Sequence, residues 1–240
     1  MDTEVESKPT RFYIGMALVG LAVALAGFSK TYFAPLTSGD FQAPVVIHVH
    51  GAAAFAWVLL FLLQPALIRA GRYDLHIRTG MVGVLIAVAV AVTAVPVGLF
   101  VVERDLAARL GPTAVSSLLG VITAMTWFLA LVAAAIAFRR QAATHKRLML
   151  LATIVVLWPA WFRLRHWFPD VPRPEIWFAV VAAYSLVPVA MLRDRLAEGR
   201  VHPVWWFVGL PVIAEQTAEA LLFDGPSWRA AAALIYGVLI

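Results

Sequence analysis

Seven apolar stretches, each about as long as a bilayer is thick, are what most constrain this chain. They lie at about 12–33, 45–68, 77–101, 115–138, 146–164, 175–192 and 203–223, and a hydrocarbon core of about 30 Å takes roughly 20 apolar residues per helix. Only 14% of the residues are charged, against about 25% in soluble domains. Such a chain lacks the polar groups to cover seven of these helices in water. The sequence therefore predicts an all-α integral membrane protein, a single helical-bundle domain over 1–240 with seven transmembrane helices and short loops. The last stretch, Trp228 to Ile240, is too short to span and is expected to form a short interfacial helix. Ala24-Leu25-Ala26 fits a small-residue cleavage site. However, the preceding MDTEVESKPTR is not clearly basic and the apolar run continues into Tyr32 and Phe33, so the first helix is expected to be retained.

Orientation follows Lys and Arg, which favour cytoplasmic loops. With the N-terminus inside, the inner side holds twelve of the 19, including Lys8, Arg69, Arg72, Arg78, Arg139, Arg140 and Arg147. The expected location is a bacterial cytoplasmic (inner) membrane with the N-terminus in the cytoplasm. The net charge of +5 then serves topology, and no basic run with interleaved aromatics points to nucleic acid. Cysteine is absent, which excludes disulfides and thiolate chemistry. No GxSxG, Walker loop, HExxH or histidine-box set occurs, so hydrolase, ATPase, zincin and membrane desaturase readings lose their usual support.

The six histidines sort into two layers. His76, His145 and His202 each open an odd-numbered helix at the inner face. Three imidazoles at one depth are the count a metal site uses, and two on facing helices could clamp a haem. Their basic neighbours (Arg78, Lys146, Arg200) also suit plain boundary residues. His76 heads a face continuing through Gly80, Gly83, Ala87 and Ala94, and small residues allow close helix approach, so His76 is expected to point into the bundle. Asp194 is placed as an outer-shell carboxylate to His202, or else as a partner of Arg193 or Arg195.

The outer layer carries deeper charge. Glu215 lies about 12 residues, or roughly 18 Å, into the seventh helix, and Glu219 is one turn on. Arg163 ends the fifth helix, and His50 enters the second from the same side, on a face shared with Trp57, Phe61 and Gln64. Ionisable groups in a membrane usually face the interior with a partner. Depth alone therefore predicts a polar site of His50, Arg163, Glu215 and Glu219, with Gln64 turned inward. Neighbouring carboxylates can share a proton. His48 is expected at the boundary, and His166 is the weakest candidate.

Leu75-His76-Ile77-Arg78-Thr79-Gly80, together with His145-Lys146-Arg147-Leu148-Met149 and Arg163 one helix later, resembles a bacterial family of multi-helix membrane proteins of unknown function. That family shows HR-x-x-G and HRRWM-like motifs; here Ile77 and Leu148 depart from the pattern. The resemblance covers the second to fifth helices and implies a shared bundle with His at helix starts. A looser likeness to cytochrome b561 and ferric-reductase bundles rests on two histidine layers alone. Three function classes stay open. The leading one is a haem b or divalent-metal site on His50, His76, His145 and His202, serving electron transfer or an enzyme acting on a lipophilic molecule or quinone. The second is a proton-coupled transporter or binding protein using His50, Arg163, Glu215 and Glu219. The third is a structural or assembly protein without cofactor.

Overall fold

Helix α5 (Ala142–His166) sits at the centre of the bundle because its sequence leaves it no exposed face. The run Leu148-Met149-Leu150-Leu151-Ala152-Thr153-Ile154-Val155 is apolar on nearly every side, and a helix apolar all round is a buried helix. In the computed structural model, which describes residues 3–240 and side chains from residue 10, 56% of the best membrane-length window of α5 is buried, against 17% for α2. Lys8 lies outside the described side chains.

The chain is helical throughout, with no strand among the described residues. Helix α1 runs Thr3–Phe28 and continues through a π-turn, Ser29–Phe33, to Ser38. Helices α2 (Val45–Arg69), α3 (Tyr73–Ala107) and α4 (Thr113–Ala137) follow. Helix α5 spans Ala142–His166 and α6 spans Pro174–Glu198. A π-turn, Trp205–Gly209, leads into α7 (Leu210–Leu222), and α8 is Pro226–Leu239. Neighbours in sequence pack as neighbours in space from α1 to α5, and α5 returns against α1. "Near" below means the end of the bundle where α1 begins, and "far" the opposite end.

Six helices, α1 to α6, are long and apolar enough to cross a membrane. The seventh expected span is helical as well, but Glu215, Gln216 and Glu219 make it too polar to join that set. Helix α3 exceeds its predicted 77–101 at both ends because Tyr73–His76 and Val102–Ala107 contain no breaker. The expected interfacial C-terminal helix is not a free surface helix: α8 packs against α4 with Ala232 fully buried. Its start is hooked to α4 where the Asp224 carboxylate accepts from Thr113 and Ser116. Arg229 on the same carboxylate holds it well below the usual carboxylate range.

The core around α5 is interlocked by shape. Trp57 of α2 meets Phe128 of α4 edge to face at 4.9 Å and donates its indole N–H to Thr153 of α5 at 3.3 Å. The small face predicted for α3 is buried at Gly83, Ala87 and Ala94, with Gly83 lying under Leu60 of α2. On α1, a Cβ at Gly27 would collide with the backbone carbonyl of Ala160. Gly27→Ala is therefore expected to destabilise the protein by about 1–3 kcal/mol, the usual range for overpacking. Gly15→Ala, where a Cβ meets nothing within 4 Å, is expected to stabilise by up to about 1 kcal/mol through helix propensity. Chemical unfolding of both variants checks the sign. Stabilisation by Gly27→Ala would contradict the close α1–α5 approach.

Candidate functional site: two polar layers around α5

At the near end, five side chains from three helix ends form one closed network. Arg147, 0% exposed, donates from Nε to Asp194 Oδ2 at 2.7 Å, and from Nη2 to Asp194 Oδ1 and Glu198 Oε2, each at 2.7 Å. Its Nη1 donates to the Ala143 carbonyl at 2.8 Å. Arg193 donates to Asp194 at 3.1 Å and to Glu198 at 2.7 Å, and Trp205 donates its indole N–H to Asp194 at 2.8 Å. Two guanidinium and two carboxylate groups leave the network with no net charge. The planar fork of Arg147 gives a bidentate grip on Asp194 that a lysine could not reproduce. Arg147 belongs to α5, Arg193, Asp194 and Glu198 to α6, and Trp205 to the entry of α7.

Asp194 pairs with Arg193, one of its expected partners, and adds Arg147 and Trp205. It makes no hydrogen bond to His202, although its charge acts on that ring. Arg147 looked like one more loop cation because it follows His145-Lys146. Two residues past His145 it points about 200° round the helix, away from α3 and α4 and toward α6. Removing one partner of a buried ion pair leaves a charge stranded, at a typical cost of 3–5 kcal/mol. Arg147→Met is expected to destabilise by about that much, and Arg147→Met with Asp194→Leu, which leaves Arg193 paired with Glu198, by less than the single change. A denaturant series on the variants decides this. Equal or greater loss in the combined variant would mean the network is not a closed charge pair.

At the same end, two of the three inner histidines meet. The His76 and His145 rings meet perpendicular, with centroids 6.5 Å apart. His145 Nδ1 lies 2.8 Å from the Ala135 carbonyl, which can only accept, so the ring donates from Nδ1 and keeps its lone pair on Nε2. Gln64 does turn inward: its amide lies between Thr79 Oγ1, at 2.8 Å, and His76 Nδ1. His202 is the histidine on which the charges of Arg147, Asp194 and Glu198 act. It precedes α7, accepts the Val204 backbone N–H on its Nδ1, and lines an apolar groove with Thr144, Phe138 and Phe207. Burial holds its imidazole below the usual range. The expected trio of His76, His145 and His202 is thus not assembled, and no three His, Asp or Glu side chains gather at metal-holding spacing among the described residues. The entry turn of α7 sets His202 apart.

The far layer also divides. His50 Nδ1 pairs with Thr93 Oγ1 of α3 at 3.0 Å, and Arg163 is among the charges acting on His50. Arg163 donates to the Pro159 carbonyl at 3.0 Å and lies 4.4 Å over the Phe28 ring of α1. His48, as expected of a boundary residue, sits with Tyr32 and Phe41 at the α1–α2 turn, its Nδ1 2.9 Å from the Tyr32 hydroxyl. His166 is exposed, and only its carbonyl is used, by Lys30.

Glu215 and Glu219 lie on another side of α5, between α4, α6 and α7. Glu215 accepts from the Gln216 amide at 2.8 Å, and Gln216 accepts from the Tyr184 hydroxyl at 3.0 Å. Glu219 faces Thr123, Glu215 and Gln216, and its Oε1 is buried without a hydrogen-bond partner. The expected ion pair between Arg163 and the two glutamates is not formed. Helical depth assigned these residues to one layer, but depth carries no information about which side of α5 each helix occupies. Thr93 and Tyr184 escaped sequence reasoning; each is an isolated polar group in an apolar run, the only available signal.

No family model, curated protein or solved structure matches this chain.

Proposed function

We propose that this protein is a proton-coupled membrane transporter or small-molecule binding protein whose proton carrier is the Glu215/Glu219 pair. The reading includes a seventh span formed by α7, a cytoplasmic N-terminus set by the bias of Lys and Arg, and residence in a bacterial inner membrane. One observation carries it: a carboxylate oxygen of Glu219 is buried with no donor, next to a second carboxylate. A stranded anion there would be costly, and two adjacent carboxylates avoid that cost by holding one proton between them. The Tyr184–Gln216–Glu215 chain then orients the acceptor side of the pair. A group that gains and loses a proton inside an otherwise apolar bundle is what coupling to a proton gradient requires.

The test is electrical. Reconstituted protein on a solid-supported membrane is challenged with a panel of small carboxylates, amines and sugars under an imposed pH gradient. At least one class should evoke a current in wild type that Glu219→Gln abolishes while leaving thermal stability nearly unchanged, because Gln imitates the protonated acid. No current with any probe, together with a clear loss of stability in Glu219→Gln, would assign the pair to a structural lock, the reading of an assembly protein without cofactor.

A second reading has its own observation. His76 and His145 face each other, and His145 is fixed through Nδ1 with Nε2 left free, the orientation that metal-binding imidazoles commonly take. This pair could hold a haem b or a divalent metal for electron exchange with a lipophilic quinone, in keeping with the likeness to cytochrome b561 bundles and with the family resemblance of the His76 and His145 motifs. Absorption spectra of oxidised and dithionite-reduced protein, with elemental analysis, are expected under this reading to show a cofactor lost in His76→Ala and in His145→Ala and kept in His202→Ala. A colourless, metal-free protein overturns it.

A further inference from the structure

The far end of the α1–α5 seam has hydrogen-bond donors and positive charge without matching acceptors. Arg163 is half-buried and gives one hydrogen bond, to Pro159, of the five its guanidinium can make. Two other buried polar atoms of the same seam have no partner: the hydroxyl of Thr31, one turn beyond Phe28 on α1, and the indole nitrogen of Trp161, two residues before Arg163 on α5. Trp161 and Phe28 both pack on the cluster of Val23, Ala24, Val58, Leu157 and Ala160 that lies beneath Arg163. The seam itself is closed by Lys30, which donates to the His166 carbonyl, and by Trp167, which donates to the Ala26 carbonyl.

The charges around it are of one sign. Arg163, Arg165 and Lys30 all act on His166, and Arg165 and Arg104 act on Arg163. Of the acids at this end, Asp105 pairs with Arg104, Glu175 with Arg173 and Asp40 with Ser38, and Glu103 and Asp170 form no ion pair with the seam cations. No carboxylate pairs with Arg163, Arg165 or Lys30 among the described residues. Buried donors rarely go unpaired, and a desolvated guanidinium needs an opposite charge.

We propose that the far end of the α1–α5 seam, built from Arg163, Trp161 and Thr31, binds a phosphate oxyanion. The guanidinium supplies the charge and a two-point grip, the indole N–H and the hydroxyl add neutral donors, and Lys30 and Arg165 raise the local potential. The oxyanion is either a free phosphate or the head group of a phospholipid, since the seam ends where the α5 span ends. This site stands on different residues from the Glu215/Glu219 pair, so either can fail without the other.

Thermal unfolding of the full chain in a neutral detergent tests it, with inorganic phosphate at fixed ionic strength in one arm and phosphatidylglycerol in the other. Diacylglycerol serves as the phosphate-free control. Saturable stabilisation by inorganic phosphate identifies a free anion, and stabilisation by phosphatidylglycerol alone identifies the head group. In either arm, Arg163→Gln should weaken apparent affinity by about tenfold or more, the loss of a hydrogen bond to a charged group. Should Arg163→Gln not fold, Trp161→Phe, which keeps a ring and removes the N–H, should weaken it about threefold. Stabilisation by neither probe, equal stabilisation by diacylglycerol, or unchanged affinity in the variants overturns the proposal.

Discussion

The charge of Arg147 has to be answered inside the bundle, and much of the architecture follows from how it is answered. A guanidinium at 0% exposure, one turn into the central helix, is tolerable only if carboxylates come to it. Asp194 and Glu198 do so from the last turn of α6, and Trp205 adds a donor from the entry of α7. The near ends of α5, α6 and α7 are thereby tied at one point, which determines where the rest of α7 can run. Its inward face descends through Gly209, Val212 and Gln216, all buried, and delivers Glu219 against α4.

The far half has no equivalent closure. The charges of the Arg147 network cancel among themselves, whereas Arg163 and the Glu215/Glu219 pair in the far half have no ion-pair partner among the described residues. Positive groups collect where α5 meets α1, around Arg163, and two carboxylates collect between α4, α6 and α7. An ion pair across the bundle would have relieved both. Its absence leaves a carboxylate oxygen on one side, and a hydroxyl and an indole N–H on the other, without partners. Buried polar groups left open in this way are functional candidates, whereas the Arg147 network, satisfied on nearly every atom, is a structural element.

The sequence made the helices legible because apolar length and helix breakers report directly on backbone structure. It made depth legible too, since a rise of about 1.5 Å per residue converts position into height. His76 pointing inward and Gln64 turned to the interior followed from faces of single helices, and the two side chains do meet. What involved two helices at once was not legible. Asp194 does pair with its sequence neighbour Arg193, but its bidentate partner, 47 residues away on α5, could not be read from one helix. His202 was grouped with His76 and His145 by height, although it faces the Arg147 charges and forms no metal-holding group with them among the described residues. Arg163 was paired with Glu215 and Glu219 for the same reason. Height is a property of one helix, whereas contact depends on the order of helices around α5, which hydropathy does not encode.

The protonation of Glu219 is the point on which the functional reading turns, and infrared spectroscopy sees it directly. In a pH titration of the reconstituted protein, the expected result is one carboxyl still protonated at neutral pH, its band lost in Glu219→Gln and retained in Asp224→Asn. A spectrum with every carboxyl ionised at neutral pH would contradict the shared proton and leave Glu215 and Glu219 as ordinary charges of the fold.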